Sequence, residues 1–108
     1  MPHLKYTDES KLDLVRFSDF FLENAPHKAT EAITKILETI DILKSSIDIL
    51  KSSPVIGRYY QTRKGDFREL TIPYGQSGYV ALYSFDEQKD LVTVHVIRHQ
   101  KELGYRTI

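Results

Sequence analysis

The chain has 108 residues, no cysteine, 41% apolar and 28% charged side chains, and fifteen basic residues balanced by fifteen acidic ones. That length suits a single domain over 1–108 with one modest core, and the lack of cysteine excludes disulfides and thiolate metal sites. A formal net charge of zero weighs against direct nucleic-acid binding, in which each phosphate contact needs a cation. No apolar run approaches the roughly 20 residues of a membrane helix and no signal-peptide pattern opens the chain, so a soluble protein of a reducing cytoplasm, without membrane contact, is expected.

In chain order, residues 3–6 alternate in a way that predicts a first edge strand. Thr7 offers an N-cap oxygen, and Asp8 and Glu9 put negative charge in the first turn, where the helix dipole favours it. Leu12, Val15, Phe17, Phe20, Phe21 and Leu22 then predict a helix ending near Asn24. Pro26 suits the first turn of a second helix. That helix carries Ala29, Ile33, Ile36, Ile40, Leu43, Ile47 and Leu50 at spacings of 4, 3, 4, 3, 4 and 3, one apolar stripe that Ser52, Ser53 and Pro54 stop. Two helices joined by so short a link make an antiparallel hairpin.

After Gly57 the period becomes alternating. "FRELTIPY" (67–74), "YVALYSF" (79–85) and "LVTVHVIR" (91–98) read as strands, separated by the turns "GQSG" and "DEQKD". Short turns imply antiparallel pairing. The expected fold is therefore α+β, an N-terminal two-helix hairpin packed on one face of a small antiparallel sheet, with the other face left available.

Within the second helix the heptad "IDILKSS" occurs twice, at 40–46 and 47–53. Seven residues at 100° each fall about 20° short of two turns, so the apolar stripe keeps its phase while the helix gains about 10 Å. A first helix of about 16 residues is too short to cover a second of about 25. Ile47, Ile49 and Leu50 are accordingly expected to overhang and to pack on another chain, a second copy or a partner protein.

Candidate chemistry is sparse. His95 and His99 straddle a strand end, share a face at that spacing, and lie too far apart to chelate an ion, so no metal is assigned. Ser77 sits in a hairpin turn, not on a strand-to-helix elbow, and the five glycines form no phosphate cradle, so no cofactor is expected. Basic and aromatic residues gather around the sheet instead: Arg58, Arg63, Lys64, Arg68, Tyr83, Arg98, Lys101 and Tyr105. Such a set suits a phosphate, a phosphoryl transition state or a protein partner.

The pieces "SSPVIGR" (52–58), "FRELTIPYGQSGYVALYSFD" (67–86) and "VHVIRHQKELGY" (94–105), with the opening "YTDESKLDLVRFSDFF", resemble the RelE/ParE family of bacterial type II toxin–antitoxin toxins. The resemblance covers nearly the whole chain, and "RHQKELGY" is closer to the ParE-like, plasmid-stabilisation branch. It implies a helical hairpin against a curved antiparallel sheet, and an antitoxin laid over the hairpin and the sheet edge. The family pattern carries one "IDLL" segment before its Pro–x–Ile–Gly–Arg turn, so this chain departs from it by one inserted heptad. RelE-like members cut mRNA without a metal; on that reading Arg68, Arg98, His99 and Tyr105 would be catalytic. ParE-like members poison DNA gyrase; on that reading Arg58, Arg68, Tyr83, Arg98, Lys101 and Tyr105 would contact the target. Zero net charge favours the protein target over RNA, as do the candidate bases: His99 has no evident partner in the sequence, and Glu69, beside Arg68, is expected to point to the opposite face of a strand.

Overall fold

The computed structural model describes residues 2–24, 29–74 and 77–100, with side chains for these apart from 20–24, 29–32 and 77. The elements run β1 (His3–Tyr6), α1 (Asp8–Asn24), α2 (Ala29–Asp48), a 3₁₀ turn (Ile49–Lys51), β2 (Arg58–Thr62), β3 (Gly65–Tyr74), β4 (Ser77–Asp86) and β5 (Leu91–His99). The fold is α+β, with two corrections to the expectation. The helices follow a strand rather than opening the chain, and the five-stranded sheet, ordered β1-β5-β4-β3-β2, is mixed. From β2 to β5 each strand pairs antiparallel with the one before it, as the short turns require, but β1 pairs parallel with β5. The helical hairpin carries the chain from β1 to the far edge of the sheet, and three hairpin steps bring it back beside β1.

The start of α1 and the stop of α2 have local causes. Thr7 Oγ1 accepts the Ser10 N–H at 3.1 Å, capping α1, and donates to the His95 carbonyl at 3.1 Å, so the cap also docks the helix on β5. Asp13 Oδ2 accepts the Ile97 N–H at 2.9 Å just beyond a β-bulge between β4 and β5. α2 continues through residues 45–47, as expected, and tightens to 3₁₀ only at Ile49. Ser52 and Ser53 both donate their N–H groups to the Ile49 carbonyl, and Pro54 disfavours helical geometry at Ser53.

The core lies between the helices and one face of the sheet. Phe17, Leu43, Ile47 and Leu50 pack with Ile72, Tyr79, Ala81, Tyr83, Val92, Val94 and Ile97. The predicted overhang is therefore corrected for Ile47 and Leu50: both are fully buried, and only Ile49 is exposed, at 46%. The end of α2 rests on the sheet, which covers what α1 is too short to reach. Burial of each side chain contributes about 1.5–3 kcal/mol. Among the described residues of the helices, Ile33 and Leu37 on α2, 51% and 64% exposed, and Leu12 and Val15 on α1 are apolar and uncovered.

These placements predict that Ile47→Ala or Leu50→Ala lowers unfolding free energy by about 2–5 kcal/mol, with Ile49→Ala costing less than about 1 kcal/mol. Urea denaturation of the three variants measures it.

Candidate functional site

Alternation along the strands sorts the candidate residues onto two faces. Arg68, Leu70, Ile72 and Tyr74 share one side of β3, as alternation along the strand requires, and Leu70, Ile72 and Tyr74 belong to the core beneath the helices. Phe67, Glu69 and Thr71 face the other way. The bulge opposite Leu82 and Tyr83 then shifts β5: Val94 pairs with Tyr83 on the helix face, Val96 with Leu82 on the other, and His95 is the extra residue between them.

That extra residue separates the two histidines. His95 lies on the face away from the helices, 2.8 Å by Nε2 from Ser84 Oγ and edge-on to the Phe67 ring. His99 lies on the helix face, edge-on to Tyr79 at 5.3 Å between centroids. The expectation that the two share a face is corrected, because a bulge advances the pleat by one residue. Among the described residues no group of three or more His, Cys, Asp or Glu is placed to hold a metal.

Tyr83 is a structural anchor. It is fully buried, and its Oη accepts the Gly57 N–H at 2.8 Å, so it does not present itself to a target. Arg68, its cross-strand partner, donates from Nη1 to the Gly57 carbonyl at 2.9 Å and the Val55 carbonyl at 3.2 Å, with its guanidinium 5.8 Å from the Tyr59 ring centroid. Together they fix the segment between α2 and β2. Arg68 also borders an open cleft of about 230 Å³ with Val55, Tyr59, Asp66, Phe85 and Glu87.

On the opposite face a charged row forms. Arg58 pairs in register with Glu69, Glu69 with Leu82, and Leu82 with Val96, one residue from each of β2 to β5. Glu69 is 6% exposed. Its Oε1 accepts from Arg58 Nη2 at 2.8 Å, and its Oε2 lies 3.8 Å from Arg98 Nη2. Strand alternation puts Glu69 back to back with Arg68, as expected for sequence neighbours on a strand, and the structure sets it between Arg58 and Arg98. The cross-strand pairing could not be read from the sequence, because β2 itself was not expected.

Of the residues named for RNA cleavage, the three described ones do not assemble. Arg98 is on the charged row's face, whereas Arg68 and His99 are on the helix face. Arg68 stands across Tyr83 from Val94, and His99 stands opposite Tyr79, four residue steps or ~13 Å further along β4. Lys101 and Tyr105 lie outside the described residues.

The fold and its two unlike sheet faces define a small α+β protein with helices on one side and a buried carboxylate between arginines on the other. Residues 4–104 match the family described as the ParE toxin of the type II toxin–antitoxin system parDE. The chain belongs to the ParE toxin family, and membership implies a cognate antitoxin as partner. No curated protein matches the chain. Among the described residues, no helix is long and apolar enough to cross a membrane.

Two predictions follow from this geometry. A Cβ on Gly57 would stand 2.6 Å from Tyr83 Oη and 2.8 Å from the Glu69 carbonyl oxygen. Gly57→Ala is therefore expected to cost about 1–3 kcal/mol, seen as a lowered thermal midpoint. Burial holds the His95 imidazole below its ordinary pKa, opposed by the Glu9 charge. The unfolded chain then takes up that proton first, so His95 supports the fold fully above its unfolded pKa of about 6.5 and loses that contribution as pH falls through the lower folded value. Thermal melts between pH 7 and pH 5 should drop less steeply for His95→Gln than for the parent.

Proposed function

We propose that this toxin acts on DNA gyrase and that its cognate antitoxin neutralises it. The observation that carries this reading over mRNA cleavage is the split of Arg68, Arg98 and His99 between opposite faces of the sheet. Cleavage of RNA without a metal needs a base and cations within hydrogen-bond reach of one phosphodiester. Among the described residues Arg68 is committed to the carbonyls of Val55 and Gly57, and His99 packs on Tyr79. Arg58 and Arg98, on the face away from the helices, are the described target-contacting residues, with Lys101 and Tyr105 proposed from the family resemblance.

The antitoxin has a suitable surface on the other side. Leu12 and Val15 on α1 and Ile33 and Leu37 on α2 are large apolar side chains exposed on the helical hairpin, and Ile49 adds to them at its end. Burying such a set is what an amphipathic segment does when it covers a helix pair.

Two assays run together decide the matter. The purified chain should block DNA supercoiling by gyrase, and primer extension on mRNA after its expression should show no cuts. Addition of the antitoxin should restore supercoiling. Cleaved transcripts with unimpaired supercoiling would reverse the reading, and silence in both assays would also end it.

A further inference from the structure

β3 and β4 both run past the last residues at which they pair. Their ladder ends at Arg68 and Tyr83, yet β3 begins at Gly65 and β4 continues to Asp86. The next pair would join Asp66 to Phe85, and it does not form. On their outer sides the two ends stay paired, 65–67 with β2 and 84–86 with β5. The sheet therefore forks. Residues 66–68 and 84–85, from the two prongs, line the cleft of about 230 Å³, which Val55, Tyr59 and Glu87 complete. Main-chain groups turned into a fork lack the cross-strand partner that the rest of the ladder has, so a guest can supply one.

Size and chemistry select the guest. A volume of about 230 Å³ is below the roughly 300–1,000 Å³ of small-molecule pockets, and suits one inserted side chain. The charged lining consists of one guanidinium and two carboxylates, Arg68 with Asp66 and Glu87. Arg68 turns Nη1 to the carbonyls of Val55 and Gly57. Asp66 accepts a hydrogen bond from the Tyr59 hydroxyl, which raises the tyrosine's pKa, and a carboxylate keeps further lone pairs after one such bond. Val55 and Tyr59, both exposed, give the cleft an apolar wall. An anion would meet Asp66 and Glu87. An apolar side chain would take both carboxylates and the open strand ends out of water without replacing their hydrogen bonds. A cation with several donors and an apolar stem incurs neither cost. The Arg68 charge opposes it, but two carboxylates face one guanidinium that carbonyl oxygens already hold.

We propose that the fork receives an arginine side chain from a basic segment of a partner protein, its stem along Val55 and Tyr59 and its guanidinium between Asp66 and Glu87. Arginine is favoured over lysine because its planar group offers five donors to acceptors on two sides. The site lies on the opposite side of β3 from the Arg58–Glu69–Arg98 row, and does not depend on the gyrase reading.

The probe is a fluorescent hexa-arginine peptide followed by anisotropy at low salt, with hexa-lysine and hexa-glutamate as comparisons. The parent chain should bind hexa-arginine more tightly than hexa-lysine, less tightly as salt rises, and should ignore hexa-glutamate. Asp66→Asn and Glu87→Gln should each weaken hexa-arginine binding by about three- to fivefold. Glu38→Gln, at an exposed position of α2, should leave it unchanged. Each of these substitutions removes one negative charge, so position alone separates them.

Equal losses at Glu38, Asp66 and Glu87 would mean general attraction of a polycation and overturn the site. So would parent-like affinity in Asp66→Asn and Glu87→Gln, equal binding of hexa-lysine, preference for hexa-glutamate, or no binding at all. Should Asp66→Asn fail to fold, Glu87→Gln decides alone: parent-like affinity overturns the fork as a site and a clear loss supports it. Sedimentation of the parent tests the remaining occupant. Dimers that Glu87→Gln dissolves would give the fork to a second copy of this chain and overturn its assignment to another protein; a monomer in both supports it.

Discussion

The segment from Ser52 to Gly57 must carry the chain out of the helical layer and into the edge of the sheet, and one clamp on Gly57 fixes how it does so. Its N–H donates to Tyr83 Oη and its carbonyl accepts from Arg68 Nη1, both partners standing opposite each other on β3 and β4. A side chain at Gly57 would collide with the tyrosine and with the β3 backbone, so here the absence of a Cβ is a requirement of close approach. Once Gly57 is fixed, Arg58 has one place to go, opposite Glu69. Arg68 and Glu69 are sequence neighbours on opposite faces, so one two-residue step of β3 both locks the connector and builds the charged row. Stability on one face and site geometry on the other are coupled through this strand.

The duplicated heptad is accommodated upstream of that clamp. Position by position its two copies keep matching environments: Leu43 and Leu50 are buried, Asp41 and Asp48 exposed, Ser46 and Ser53 half-buried. The exceptions are the first position, where Ile40 is half-buried and Ile47 buried, and the third, where Ile42 is half-buried and Ile49 exposed. A helix that drifts about 20° per heptad holds such a pattern over two copies without supercoiling. The repeated Lys–Ser–Ser also shows how little a local sequence decides alone. It is helical at 44–46, where Ile47 follows, and non-α at 51–53, where Pro54 follows. The second copy is accommodated because its buried residues meet the sheet.

Much of the fold was legible in the sequence because it rests on local signals: the Thr7 cap, the spacing of the α2 stripe, alternation in β3, and the near-continuous apolar run Tyr79–Tyr83 of a central strand buried on both faces. Three features were not. β2, with only Thr62 partly shielded and the rest exposed, has no buried face to print an alternation. The parallel partner of each β1 residue is 88 residues away in the chain (His3 pairs with Leu91), and turn lengths inform only on consecutive strands. The bulge at His95 is a one-residue change of pleat, and it sends His95 and His99 to opposite faces. The candidate site suffered most from the first and third. Arg58, Arg68 and Arg98 were all singled out, but without β2 and the bulge their assignment to faces, and the part of Glu69, was out of reach.

A row built around a buried carboxylate contributes less to stability than to arrangement. The attraction between Glu69 and its arginines is offset by the cost of removing the carboxylate from water, so an apolar trio of similar volume would hold the strands together about as well. What an apolar trio would not do is orient a cation. Arg58 sits on an edge strand, and its bond to Glu69 gives its guanidinium a defined direction. In a molecule whose charges cancel overall, the long-range field has little to offer a partner. Selectivity then has to come from short range, where a fixed direction counts for more than an additional charge.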